Sequence, residues 1–175
     1  MSKIPDRREC LRLLKESGCS DEVIGHCEAV TKLAVKIAGM CGADKKLVTA
    51  GALLHDIGRS RTHGIAHAVE GAKIARRLKL PSSIVNIIER HIGAGLTKKD
   101  AAAAGLPPKD YIPLTLEEKI VAHADNLIAT HSKQTAAELA AKWKKNNLTE
   151  GIERLLALHR ELSELCGMDL DEIEF

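Results

Sequence analysis

Val23, Cys27, Val30, Ala34 and Ile37 recur at steps of four and three. That spacing lays one apolar stripe along one side of a long helix. Ser20 supplies an N-cap for it and Gly42 a C-cap. The same punctuation runs along the rest of the chain. Pro5 and Asp6 open a first helical segment that ends at Gly18. Asp44 caps a helix that carries Leu47, Leu53 and Leu54 and ends near Gly58, and GRSRTHGI after it reads as a loop. Further helices are predicted over about 66–78 and from Pro81 to about His91. Thr115 and Glu118 form a capping-box pattern for a helix to about Thr130. The last helices are expected over Ser132–Lys145 and Glu150–Cys166, the latter closed by Gly167. No useful stretch alternates with period two. The prediction is an all-α bundle of about seven or eight helices. At 175 residues it forms one domain, its core over about 20–135 and its C-terminal helices packed on that core.

Residues 93–114 interrupt this pattern with Gly93, Gly95, Gly105, Pro107, Pro108 and Pro113. Ala101–Ala104 is expected as a short helix inside the loop. Loops of this length in compact domains are often lids or substrate-binding elements. Composition excludes several classes. The formal net charge is +2, too small for a protein that coats a polyanion. Aromatic residues are 2% of the chain, which leaves few platforms for stacking single-stranded nucleic acid, so extended nucleic acid is not the expected partner. Apolar runs such as Leu47–Leu54 are far shorter than a membrane span, and MSKIPDRREC lacks the apolar segment of a secretory signal. A cytoplasmic setting is expected. Cys10, Cys19, Cys27, Cys41 and Cys166 are scattered and form no CxxC pair, so all five are expected as reduced thiols in helix packing.

Eight histidines set the functional question. His55 and Asp56 are adjacent inside the apolar segment GALLHDIG. Burying a carboxylate without a partner is expensive, so the pair needs an explanation. Alone, it fits a hydrogen-bonded pair at a helix end as well as a functional site. It is not alone. His26 lies near the apolar stripe, His67 opens HAVEGA, His91 ends a helix, and Asp125 shares a helix face with Val121 and Ile128. A buried carboxylate on that face calls for a cation or a hydrogen-bond network. Imidazole and carboxylate donors suit Fe, Mn, Zn or Co better than Mg.

The ordered set His26, His55–Asp56, His67, His91 and Asp125, with GALLHDIGR around the pair, resembles the HD superfamily of metal-dependent phosphohydrolases and its two-metal branch. Three segments are similar more narrowly to bacterial HD-type bis(5′-nucleosyl)-tetraphosphatases: HAVEGA at 67–72, RHIGAG at 90–95 and LTLEEKIVAHAD at 114–125. The chain departs from them by extra residues over about Thr97–Pro113 and by Asn126 where they carry an aromatic residue. The resemblance implies a helical bundle with two divalent ions per chain. His26, His55, Asp56 and Asp125 would hold one, and Asp56 would bridge to a second held by His67 and His91. It implies a phosphohydrolase that cleaves a nucleotide or small phosphate ester or anhydride with a hydroxide between the metals, and Asp56 as a catalytic residue. His63 is an alternative to His67 as ligand, and Gly71–Ala72 at the family spacing favours His67.

Arg59 follows the motif where many relatives have Lys, and is read as a catalytic and substrate-binding cation for a phosphate. Arg61 and His63 share its loop and are read as substrate-facing. Lys98 and Lys99, Arg76, Arg77 and Lys79 read as solvated charges, and His123, His131 and His159 as structural or exposed. A small phosphorylated substrate, a nucleotide first, is the expected partner. No membrane is expected, and a second copy of the chain is a candidate partner. Two other classes fit the same residues. HD-fold mixed-valent di-iron oxygenases share the six-ligand pattern. A non-catalytic nucleotide-sensing or scaffold domain would share the fold, though the complete ligand set weighs against it.

Overall fold

The computed structural model describes residues 3–130 and 132–175. Met1, Ser2 and His131 lie outside them. The described residues form helices α1 (Arg7–Ser17), α2 (Asp21–Cys41), α3 (Lys45–Leu54), α4 (His67–Arg77), α5 (Ser82–Arg90), α6 (Lys98–Ala103), α7 (Leu116–Leu127), α8 (Ala136–Lys145) and α9 (Ile152–Cys166). The architecture is all-α, as the periodicity predicts, with a tiny antiparallel pairing of Ile128–Ala129 with Ser132–Lys133 and an isolated antiparallel bridge between Leu96 and Tyr111.

Most helix ends follow the expected caps. Asp6, Ser20, Asp44 and Thr115 each accept a backbone N–H of the first turn. Gly18, Gly42 and Gly167 close α1, α2 and α9 at left-handed φ of 92°, 72° and 71°. The stripe Val23, Cys27, Val30, Ala34 and Ile37 is buried along α2. One apolar cluster gathers α1 and α3–α5 against one end of α2, including Leu14, Leu53, Ile57 and Ile88. A second packs α2, α7, α8 and α9 around Leu33, Ile37, Ile120 and Leu158.

Five expectations need correction. The α7 helix ends at Leu127 rather than Thr130, because Thr130 takes a left-handed φ of 58° in the turn of the small hairpin. The next helix starts at Ala136 rather than Ser132. Thr135 and Glu138 close a complete capping box there, while the Ser132 hydroxyl donates to the Ala129 carbonyl. Within GRSRTHGI, Ile57–Ser60 is a 3₁₀ turn rather than irregular loop, and Thr149–Gly151 is a second such turn that delays α9 to Ile152. Finally, Cys41 and Cys166 form a disulfide. Both cysteines sit one residue before a left-handed glycine at a helix end, so the two ends turn away side by side with their Cα atoms 4.7 Å apart. Cys10, Cys19 and Cys27 remain thiols.

The long segment after α5 is a packed arm. Thr97 and Asp100 form a capping box on α6. Tyr111, Leu106 and Ala101 bury together against Val69 of α4. Asp100 pairs with Arg154 of α9 at 2.7 Å, and Lys109 pairs with the buried Glu89 of α5 at 2.9 Å.

A candidate metal centre

Where α3 stops, the chain must cross α4 at very close range. A β-carbon on Gly58 would overlap the His67 carbonyl oxygen and lie 2.5 Å from the Gly71 nitrogen. Glycine at 58 thus lets the 3₁₀ turn press its backbone onto α4. Gly71 answers from the other side, its missing β-carbon leaving room for Ile88 of α5. This contact sets the start of α4, and with it His67, beside Asp56.

His55 is fully buried at the end of α3, Asp56 beside it is 2% exposed, and His67 and His91 are 4% and 1% exposed. His26 of α2 and Asp125 of α7 form the more open side of the cluster. The candidate ligands therefore come from five helix segments that the bundle brings to one point. His67 rather than His63 joins them, because His63 is exposed.

Hydrogen bonding fixes the protons. The Nδ1 of His26, His55, His67 and His91 faces the carbonyl oxygens of Thr130, Ala52, Gly64 and Ile88 at 3.2, 2.7, 2.8 and 2.7 Å. A carbonyl only accepts, so each Nδ1 donates, and each ring in its neutral form presents an Nε2 lone pair inward. Those lone pairs meet other acceptors. His67 Nε2 lies 3.0 Å from His91 Nε2 and 3.1 Å from Asp56 Oδ1. His55 Nε2 lies 3.4 Å from Asp125 Oδ1 and 3.6 Å from Asp56 Oδ2, and His26 Nε2 is 2.8 Å from Asp125 Oδ1. His55 Nε2 and Asp56 Oδ1 are buried and find no hydrogen-bond partner among the described residues.

A buried and a half-buried carboxylate ringed by four imidazoles and one guanidinium form a site that fits a cation. The donor set and its carbonyl-held imidazoles could hold a divalent metal ion. Two groups of candidate ligand atoms stand out, His26, His55 and Asp125, and His55, Asp56 and His91. Asp56 faces both ways, with Oδ1 toward His67 and His91 and Oδ2 toward His55.

Both carboxylates are held in their charged form. Burial opposes charge on Asp56, yet His55, His67 and His91 hold its pKa well below the usual carboxylate range. Asp125 is lowered in the same way by His55 and His26 against its burial. Burial lowers the pKa of His91, whereas Asp56 and Asp125 outweigh burial at His55 and raise it well above 6.5.

Arg59 donates its Nε to Asp56 Oδ2 at 2.6 Å and an Nη to the His63 carbonyl at 3.2 Å. It thereby ties the loop 59–63 to the cluster. Arg59, His63, His26 and Asp56 line a cavity of about 250 Å³ that also touches Glu22 and Thr130. Arg61 is exposed and stands outside that lining.

Several supporting residues carry no sequence signal. The Glu118 carboxylate does not close its predicted capping box. It instead accepts both a bidentate Arg90 contact at 2.9 and 3.1 Å and the Leu114 N–H at 2.8 Å, fixing the residue before His91. Asn126, beside Asp125, donates to the Gly93 carbonyl at 2.9 Å and holds the turn after His91. His123 is fully buried and pairs with His159 at 2.9 Å. Among the described residues no helix is long and apolar enough to cross a membrane.

Residues 23–130 match the HD domain family. A tRNA (cytidine(56)-2'-O)-methyltransferase of Picrophilus torridus is 48% identical over 170 residues, which are 97% of this chain and 50% of that protein. The chain thus spans about half the length of this relative. An uncharacterized protein of Methanocaldococcus jannaschii is 47% identical over 165 residues, 90% of this chain and 96% of that protein. In fold, the chain is similar to the HD domain of the L. monocytogenes phosphodiesterase PgpH in complex with cyclic-di-AMP, with a TM-score of 0.57 at 21% identity over 94% of this chain and all of that one. The family match spans more than half the chain and includes every residue of the His/Asp cluster, so the chain belongs to the HD domain family.

Proposed function

We propose that this chain is a metal-dependent phosphohydrolase that cleaves a nucleotide or another small phosphate ester or anhydride at the cluster of His26, His55, Asp56, His67, His91 and Asp125. The observation that carries the proposal is the convergence of four histidine Nε2 atoms on two carboxylates. In this reading His26, His55 and Asp125 would hold one divalent ion and His67 and His91 a second, and Asp56 would serve both. Such ions, when bound, activate water near neutral pH and neutralise charge on phosphoryl oxygens.

The chain's own groups do the rest. The four main-chain carbonyls hold the imidazoles in the tautomer that ligates. Arg59 sits at the mouth of the cavity, where its guanidinium can accept a phosphate in two-point fashion while its Nε keeps Asp56 in place. His63 lines the same cavity and faces the substrate. The relative named as a tRNA methyltransferase has as much chain again outside the match, and methyl transfer is not proposed for this chain. The resemblance to bis(5′-nucleosyl)-tetraphosphatases places dinucleoside polyphosphates first among substrates to try, and the cyclic-di-AMP bound by PgpH adds phosphodiesters.

The test is phosphate or nucleotide release from a panel of dinucleoside polyphosphates, nucleotides and cyclic dinucleotides with added Mn, Fe, Co or Zn. Turnover lost in Asp56→Ala is the expected result. No turnover of any member under any metal would refute the proposal.

A further inference from the structure

Beyond the polar cavity at Arg59, a second cavity of about 500 Å³ opens between the packed arm and the α8–α9 turn. Its size falls in the range of small-ligand sites. Its walls are mainly apolar. Ile65 and Leu148, 38% and 59% exposed, both line it, as do Ile92 and Trp143. The Trp143 ring rests on two glycines. A β-carbon on Gly93 would lie 3.1 Å from the ring and one on Gly151 3.0 Å from it. Polar side chains also line it, the Arg154–Asp100 pair and Asn147.

This cavity is joined by the chain itself to the metal-centre candidates. Ile65 lies two residues before His67, and Ile92 and Gly93 directly follow His91. Asn126, the neighbour of Asp125, holds the Gly93 carbonyl. The first cavity lies by His26, Asp56 and Arg59, whereas this one adjoins the His67 and His91 side. The charged side chains of its lining are Asp100, Glu150 and Arg154. An indole ring, apolar walls and polar donors and acceptors suit a flat heteroaromatic ring.

We propose that this second cavity binds the nucleobase of the phosphorylated substrate, with Trp143 and Leu148 against the ring and Arg154, Asp100 and Asn147 at its edge. The inference rests on the phosphohydrolase reading for its substrate, and on geometry for its place. Base identity is then read here, and the phosphate is handled at the cluster.

Trp143 is the only tryptophan in the chain, so its fluorescence reports on this cavity alone. The protein is titrated with adenosine, guanosine, cytidine and uridine monophosphates and, separately, with inorganic phosphate. Saturable quenching by at least one nucleotide but not by phosphate is expected. Leu148→Glu, at an exposed position, should weaken that binding by about tenfold, because a charge replaces an apolar wall contact of the ring. Circular dichroism checks the variant's fold. No quenching by any nucleotide, or quenching that Leu148→Glu leaves unchanged, overturns the nucleobase site. If the same preparation still hydrolyses nucleotides, only this inference fails. Quenching without any hydrolysis would keep the nucleobase site and refute the phosphohydrolase reading.

Discussion

The backbone of Gly58 lies so close to His67 that a β-carbon at 58 would overlap the His67 carbonyl oxygen. The glycine of the HDIG segment is therefore a packing requirement of the metal centre, since it seats the start of α4 beside Asp56. Gly58→Ala must push the 3₁₀ turn away from α4. It should destabilise the protein by about 3 kcal/mol or more, the upper end of overpacking effects. Thermal denaturation, with metal content measured on the same sample, checks this. An unchanged melting temperature and metal content would contradict the close crossing.

Metal binding should stabilise the fold, because the His/Asp cluster exists only in the folded state. At metal near 100 times its Kd the gain is about 2.7 kcal/mol. For a chain of this size, chelation should then lower the melting temperature by roughly 5–11 °C. His67→Ala should shrink that shift, as seen by calorimetry with and without chelator. A chelator that leaves the wild-type melting temperature unchanged would count against a folded-state metal site.

Arg59 reaches both Asp56 and the cavity. Losing a charge-assisted phosphate contact is worth about 1.5–3 kcal/mol, so Arg59→Ala should lower kcat/KM by about 10–100-fold. Steady-state kinetics on the best substrate measures it. Arg61→Ala, at an exposed residue outside the cavity lining, should have far less effect.

Glu89 anchors the arm. It is buried, which opposes its charge, but Lys109 and Arg76 hold its pKa below the ordinary 4.5. A carboxylate with a lowered folded pKa binds fewer protons in the native state. Its contribution is therefore full above about pH 4.5 and is lost as pH falls through the folded value. Arg76 and Lys109 are half exposed, so screening limits the contribution to about 1 kcal/mol. Glu89→Gln should lose that much at pH 7, and the difference from wild type should close under acid. Denaturant titrations at several pH values follow it. A difference that grows as pH falls would show the opposite sign.

The thiols separate into two classes. Burial pushes Cys10 up to about 12 and Cys19 up to about 11, so little thiolate exists at neutral pH and alkylation should be slow, by about 100-fold relative to the unfolded chain. Without reductant, the unfolded chain should titrate three thiols, Cys10, Cys19 and Cys27, because Cys41 and Cys166 are joined. Five free thiols under those conditions would refute the disulfide.

The helical architecture was legible because its signals are local. Ser20, Asp44 and Thr115 cap the helices they were expected to cap, and the α2 stripe is buried as its spacing requires. The errors have local causes too. Thr135 outcompetes Ser132 because a complete capping box satisfies two backbone groups at once. The cluster was legible as an ordered list of His and Asp, and the fold brings those six side chains to one place. What stayed hidden acts across long sequence separations. Arg90–Glu118, Lys109–Glu89 and Cys41–Cys166 each join residues that no short window relates. The second cavity was equally hidden, because its walls come from the arm, the turn after His91 and the α8–α9 connection.

Elemental analysis of the metal carried by the wild-type chain and by Asp56→Ala tests the cluster most directly. After equilibration with Mn, Fe, Co or Zn and removal of free metal, the wild type should hold about two equivalents per chain, and Asp56→Ala clearly fewer. A wild-type chain that retains no metal, or an Asp56→Ala chain with unchanged stoichiometry, would contradict a metal centre bridged by Asp56.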